Sequence, residues 1–312
     1  MIDISKGRYW DLPWSLVDGC TPCSPGCEHC WALTMENRFR KCPGCGCTLK
    51  RCQGWKAGGH TACCPDCNGD HHSKVNPRPD HFVGKNSPLS IRKPTVFAVW
   101  NDLFHEAVPD GFINRAFDVM DQCVRHRFLV LTKRPERMAS MWHLWNPTMP
   151  HVFAGLSVCN QPEADSKIVE FLKVPGKKFL SIEPMLGAIE VSKYLNFRWR
   201  PTAGIMLDEP QFEPRIDAVI LGGETGPGAR PLHLDWVRSV RDQCSAAGVP
   251  FFFKQWGEWA PPSQVPDDVI MPMRDAGAGF DPDSGTPRRF SRKAAGRLLD
   301  GRTHDELPWV KA

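Results

Sequence analysis

No run of about eighteen apolar residues occurs anywhere in the 312-residue chain, which excludes a helix of ordinary membrane-spanning length. Met1 to Trp10 lack the charged-then-apolar order of a secretory leader, so a cytoplasmic address with no membrane partner is expected. Strong charge of either sign is also missing. The 39 Lys and Arg against 35 Asp and Glu leave a formal net charge of +4, which neither demands nor excludes a polyanionic partner. No HExxH pair occurs, which weakens a metal-dependent hydrolase of that type. Cysteine is scarce over most of the chain, with only Cys123, Cys159 and Cys244 after His71. Each falls in a helix or strand pattern and is expected to pack as a small hydrophobe.

The first seventy residues reverse that scarcity, holding eleven of the fourteen cysteines. In a cytoplasmic chain, crowding into CxxC pairs points to metal rather than to disulfides. Gly19-Cys20-Thr21-Pro22-Cys23-Ser24-Pro25-Gly26-Cys27-Glu28-His29-Cys30-Trp31 sets four thiols in one Pro- and Gly-containing loop, ahead of a helix expected over Cys30 to Arg40. Cys23, Cys27 and Cys30 read as C-x3-C-x2-C; Cys20, Cys27 and Cys30 read as C-x6-C-x2-C. Either set supplies three thiolates to a [4Fe-4S] cluster, leaving one iron open to the amino and carboxylate groups of S-adenosylmethionine (SAM). A closed four-cysteine zinc knuckle is the structural alternative.

Residues 41–85 change character, with Gly, Pro, Cys and His in place of any apolar period. Cys42-Pro43-Gly44-Cys45 and Cys64-Pro65-Asp66-Cys67 have zinc-ribbon spacing. Four thiolates around Zn2+ would replace the core that so small a module cannot build. Cys47, Cys52, Cys63 and His60 would suffice for a second zinc, while His71 and His72 read as solvated loop residues.

From Pro94 onward, short apolar strands alternate with amphipathic helices. The strands are Thr95 to Trp100, Phe128 to Leu131, Val152 to Leu156, Phe179 to Ile182, Ala218 to Leu221 and Val249 to Phe253. The helices begin near Asp110, as a cap, and at Asn160; a third carries Leu234, Val237, Val240 and Cys244 and stops at Gly248. Arg8 to Val17 can supply a first strand. The pattern predicts an α/β fold, a partial (β/α)6-7 TIM-like barrel with an inserted cysteine-rich, zinc-ribbon-like module. Its parts are a first β/α unit with the cluster loop (1–40), the zinc module (41–85), the rest of the barrel (86–256) and a wrapping C-terminal tail (257–312). Polar residues follow the strands, so the cysteine loop, Asn101-Asp102, Lys133-Arg134, Ser157, Glu183, Glu224 and Lys254 are expected to converge on one mouth. That convergence favours iron–sulfur over zinc for the first loop.

Several segments carry a resemblance. They are Gly19-Cys20 with Ser24-Pro25-Gly26-Cys27 and Cys30, Asn101 to Glu106, Leu131 to Arg134, Ser181 to Pro184, Gly222 to Pro231, Phe252 to Gly257 and Gly296 to Arg302. Spanning nearly the whole chain in order, they resemble phage and bacterial three-cysteine-motif proteins of radical-SAM type, loosely similar to spore photoproduct lyase. The resemblance implies that Cys20, Cys27 and Cys30 hold the cluster. Cys23 stands where that family usually has another residue, so the third ligand stays open between Cys20 and Cys23. The expected setting is a bacterial or phage-infected cell, with SAM and an electron donor such as a flavodoxin or ferredoxin as partners and a nucleobase or nucleotide, free or in nucleic acid, as substrate.

Site roles follow from polarity. His29 lies where a backbone commonly meets adenine in such enzymes. Asn101, Asp102, Lys133, Ser157 and Glu183 suit the amino, carboxylate and ribose groups of SAM, with Arg134 an alternative to Lys133 for the carboxylate. Gly222 to Gly228 could form a nest of amides, with Glu224 aimed at an amine or hydroxyl. Arg230, Lys254 and Trp256 are the substrate-side candidates, two cations and a ring for a base. The competing reading is a non-catalytic, zinc-stabilised nucleic-acid-binding protein.

Overall fold

Charge-free apolar runs become strands, and they lie side by side in chain order. The computed structural model describes residues 2–30, 75–85, 87–142, 149–195, 215–275, 281 and 283–310. The strands are β1 (Leu12–Pro13), β2 (Val17–Asp18), β3 (Asn76–Pro77), β4 (Val96–Val99), β5 (Arg127–Thr132), β6 (Val152–Ser157), β7 (Lys177–Ile182), β8 (Ala218–Gly222), β9 (Phe251–Gln255), β10 (Trp259–Ala260) and β11 (Arg288–Arg289). The main sheet has the order β1-β4-β5-β6-β7-β8-β9. All its neighbours are parallel. It curls into a half-barrel, the partial barrel that alternating strands and helices predict. Two antiparallel ribbons, β2 with β3 and β10 with β11, stand beside it.

The helices are α1 (Asp110–Gln122), α2 (Pro135–Trp142), α3 (Gln161–Phe171), α4 (Ser192–Leu195), α5 (Leu234–Ala247), α6 (Asp267–Asp275) and α7 (Arg292–Ala295). Asn160 caps α3 by accepting from the Glu163 N–H, and left-handed Gly248 ends α5, as their sequences predict. Asp110 is the first residue of α1 rather than its cap, which is Pro109; its carboxylate still lies near the positive end of the helix. The last sheet strand begins at Phe251, two residues later than expected. The eight residues of α2 were legible only as a polar exit, because two turns with Met138, Met141 and Trp142 inward are too short to display a period. The expected helix at Cys30 to Arg40, apart from Cys30 itself, and the zinc ligands Cys42, Cys45, Cys64 and Cys67 lie outside the described residues.

Period-two alternation divides the sheet into two faces. Phe97, Phe128, Val130, Leu156, Leu180 and Leu221 join the core under the helices. Leu129, Phe153, Phe179, Ile220 and Phe252 point to the concave side, where Tyr9, Leu307 and Trp309 cover them. The Trp309 indole N–H donates to the Tyr9 carbonyl at 2.9 Å, and its ring stands over Phe153 and Phe179 at 5.2 and 5.4 Å between centroids. The N-terminal part of the concave face is therefore packed solid, and polar groups are left to its C-terminal part.

Gly155 makes that packing possible, since a Cβ there would lie 2.3 Å from Phe179 Cζ and 2.9 Å from Leu131 Cδ1. Gly155→Ala is expected to destabilise the fold by about 2 kcal/mol through overpacking, measured by urea unfolding. A loss below about 0.5 kcal/mol would mean that the Phe179 ring can swing aside.

Candidate active site

The cysteine loop follows β2 and lies across the C-terminal ends of the parallel strands. Thr21 meets His105 in the loop after β4 and Arg134 after β5. Ser24 approaches the Cys159 sulfur after β6 at 3.8 Å, and Gly26 faces Pro184 after β7. His29 lies against Gly228 after β8: a Cβ on that left-handed glycine would be 2.8 Å from the imidazole Cε1. The loop thus rests on the segments after five consecutive strands. In parallel β/α sheets that end is where binding sites are built.

Two arginines fasten it. Arg134 donates from Nη1 to Asp102 at 2.5 Å, from Nε to Glu106 at 2.8 Å and from Nη2 to Thr21 Oγ1 at 2.9 Å. Asp102 also accepts from Thr132 Oγ1 at 2.6 Å and from the Phe104 N–H. His105 Nδ1 accepts the Ala107 N–H, so in the neutral ring the proton sits on Nε2 and is donated to Thr21 Oγ1, 2.7 Å away. Burial, with Arg134 nearby, lowers the His105 pKa and keeps it neutral.

Arg230 fastens the other end. Its Nε and backbone N–H donate to Glu224 Oε2 at 2.8 and 2.9 Å, and Nη2 donates to Glu224 Oε1 at 2.6 Å. Nη2 also reaches the Pro25 carbonyl at 3.1 Å, and Nη1 reaches Glu28 at 2.8 Å. Burial works to raise the Glu224 pKa, but the Arg230 hydrogen bonds outweigh it and hold it below the usual carboxylate value. Every guanidinium nitrogen of Arg230 is engaged within the protein, so as placed it braces the loop rather than facing a substrate.

The thiols differ in character. The nearness of the Cys23 thiol favours a thiolate on Cys27 and a proton on Cys23; Lys133 adds to the lowering of Cys27. Burial pushes Cys20 up to about 11, with Asp102 adding to the rise. Among the described residues, no three His, Cys, Asp or Glu side chains are already gathered at metal-binding distance. The donor set nevertheless suits a thiophilic cluster, because it puts one thiolate and two neighbouring thiols in a single short loop under a cation.

Beneath the loop, the alternation that buries Phe179 and Phe252 places Ser181, Glu183 and Lys254 on the concave face. Lys254 Nζ pairs with Glu183 Oε1 at 2.8 Å. Glu183 Oε2 accepts from Tyr9 OH at 2.8 Å and Ser181 Oγ at 3.2 Å. Together they form a polar wall above a packed floor.

A family model described as a protein of unknown function (DUF5131) covers residues 5–308. The chain belongs to that family. No curated protein and no solved structure matches it.

Within this DUF5131 chain, the fold brings Cys20, Cys27, His29, Asp102, Lys133, Glu183, Glu224, Arg230 and Lys254 to one end of the sheet. Cys30 follows the loop, its N–H donating to the Cys27 carbonyl at 3.2 Å. Asn101 is half-buried in the bend after β4. Ser157 is buried at the end of β6, in register with Ser181. Trp256 is a correction. It is 1% exposed, its indole N–H donates to the Leu298 carbonyl at 2.7 Å, and it packs edge-on to Phe253. A ring held this way belongs to the core and presents no face for a base. Sequence reasoning overlooked Tyr9, Thr21, Thr132 and His105. The only available signal was the position of Thr132 and His105 beside polar strand exits.

Proposed function

We propose that this DUF5131 protein is a radical-SAM enzyme. The observation that carries the reading is the seat of the cysteine loop on the segments after five consecutive parallel strands, above a polar concave wall. Cys27, Cys30 and either Cys20 or Cys23 would hold a [4Fe-4S] cluster. When bound, such a cluster supplies the electron that splits SAM into methionine and a 5′-deoxyadenosyl radical, which then takes hydrogen from a substrate.

The remaining work belongs to the chain. Lys133 favours the thiolate on Cys27, the form that binds metal. Arg134 and Arg230 fix the loop from its two ends, and His29 sits on Gly228 where the loop turns downward. Glu183, oriented by Tyr9 and Ser181, suits an ammonium or a ribose hydroxyl, and Lys254 suits a carboxylate. Asn101, Asp102 and Ser157 then border the SAM site, with Asp102 acting through Arg134. The packed floor of Phe153, Phe179 and Trp309 keeps bulk water from the far side. The substrate class is a nucleobase or nucleotide, with a flavodoxin or ferredoxin as electron donor. Cys42, Cys45, Cys64 and Cys67 would hold a structural Zn2+.

Anaerobically purified protein is expected to be brown, with about four irons and four sulfides per chain, and to cleave SAM on reduction. A colourless protein holding only zinc would overturn the reading in favour of a closed structural knuckle. Cys20→Ala and Cys23→Ala are expected to differ sharply in retained iron, the ligand's variant losing it and the bystander's keeping it.

A further inference from the structure

Arg288, Arg289, Arg292 and Lys293 place four cations within six residues, in a chain whose net charge is only +4. The excess is therefore local. All four are exposed, while the apolar residues among them, Phe290 and Ala295, are buried. Arginines nearby are paired with carboxylates: Arg238 with Asp300, Arg241 with Asp242 and Asp300, and Arg297 with Asp305. Among the described residues, Arg289, Arg292 and Lys293 form no ion pair, so their charge is available to a partner.

The ribbon that carries them is fixed to the mouth. β10 leaves the C-terminal end of β9, and its Trp259 donates from the indole N–H to the Ala229 carbonyl at 2.6 Å. Glu258 N–H donates to the Glu224 carbonyl at 3.0 Å, and Phe290 N–H to the Glu258 carbonyl at 2.8 Å. Glu224 is the carboxylate that holds Arg230 against the cysteine loop. The cations thus stand on the rim, beside the C-terminal end of β9. Trp259, half-buried and directly opposite Arg289 across the ribbon, offers a fixed ring beside a guanidinium.

We propose that this ribbon binds the phosphate backbone of a single-stranded nucleic acid and so presents one of its bases to the mouth. Three of the four cations are arginines, whose planar fork matches phosphate oxygens. A cationic track beside an aromatic ring is the recurring arrangement for single strands. A membrane surface fits worse, because Phe290 and Ala295 turn inward and leave only the half-buried Trp259, too little apolar surface to enter a bilayer. The inference deepens the proposed reading by naming the substrate as a polymer, yet the binding itself requires no cluster.

The test uses the full chain and a fluorescent oligothymidylate of about 20 nucleotides, longer than a typical single-strand site, titrated by anisotropy over a range of salt. Arg289→Glu/Arg292→Glu is expected to weaken binding at least about tenfold and to lower the salt slope by about 1.4, the value for two lost single-strand phosphate contacts. Arg289→Gln/Arg292→Gln is expected to give the same fall in slope with a smaller loss of affinity. Arg92→Glu/Lys93→Glu, exposed at the opposite end of the sheet ahead of β4, should leave the slope unchanged. Absence of binding, equal losses in the two charge-reversal variants, or equal competition by polyglutamate would overturn the proposal. Iron content and SAM cleavage are read on the same proteins. Oligonucleotide binding without iron would sink the enzymatic reading and keep the ribbon, and the converse would do the opposite.

Discussion

Arg134→Ala is expected to lose about 3 kcal/mol of stability and to free one end of the cysteine loop. The Arg134 and Asp102 side chains are only 15% and 7% exposed, and removing one partner of a largely buried pair leaves the other charge without compensation. Thr132 and Phe104 continue to donate to Asp102, which holds the loss to the low end of the usual 3–5 kcal/mol range. Glu106 loses its Arg134 donor as well, and Thr21 is left with His105 alone. Urea unfolding measures the first effect. The alkylation rate of buried Cys27 in metal-free protein measures the second, with a rise of about tenfold expected for a loop whose opening is eased by about 1.4 kcal/mol. Arg134→Lys keeps the charge but cannot span Asp102, Glu106 and Thr21 together. It should recover most of the stability and little of the thiol protection. In an Asp102→Asn background the Arg134→Ala cost should shrink by at least about 1 kcal/mol, the signature of direct coupling. Unchanged alkylation in a folded Arg134→Ala protein would refute the clamp.

Lys178 should make stability rise between about pH 8 and 10.5. It is fully buried at the start of β7, its ammonium donating to the Gly176 carbonyl at 2.9 Å with Asp217 nearby. Burial lowers its pKa from 10.5 to about 8, against a smaller opposing pull from Asp217. Below about pH 8 both folded and unfolded chains carry the charge, and the folded form bears the desolvation cost, about 3 kcal/mol for a shift of this size. Between the two pKa values the unfolded chain binds more protons than the folded one, so stability climbs with pH there. Lys178→Met removes the charge and the hydrogen bond to Gly176. At pH 7 it is expected to be more stable by about 2 kcal/mol, after about 1 kcal/mol is deducted for that bond. The advantage should fade towards pH 10.5 as the wild-type lysine deprotonates. Denaturant midpoints of the two proteins across that range measure it, and a pH-independent difference would place the lysine's charge in solvent.

The parallel half-barrel was legible because unbroken runs such as Val152 to Leu156 and Ala218 to Leu221 admit little but buried strands, and helical periods separate most of them. The mouth was legible for the same reason: once strand order is known, polar exits gather at one end. What the chain's order could not disclose is which partner each polar group takes. Arg230 reads as a free cation in sequence, but folding brings Glu224, Glu28 and the Pro25 carbonyl around it. Trp256 reads in sequence either as a ring for a base or as a core residue, and only the carbonyl of residue 298 on its N–H decides for the core. Tyr9 shows no sign of its role until Glu183, 174 positions later, accepts its hydrogen bond. Contacts at such separation depend on topology, which local patterns do not encode.

The bond from Trp309 to the Tyr9 carbonyl joins residues 300 positions apart. A nascent chain on the ribosome can pair its early strands in sequence, but their inner aromatic surface has only Tyr9 over it until Leu307 and Trp309 have been made. Closure of that inner side therefore depends on a segment far along the chain from the strands it covers, and a chain lacking Trp309 would carry an apolar surface that invites chaperones or aggregation.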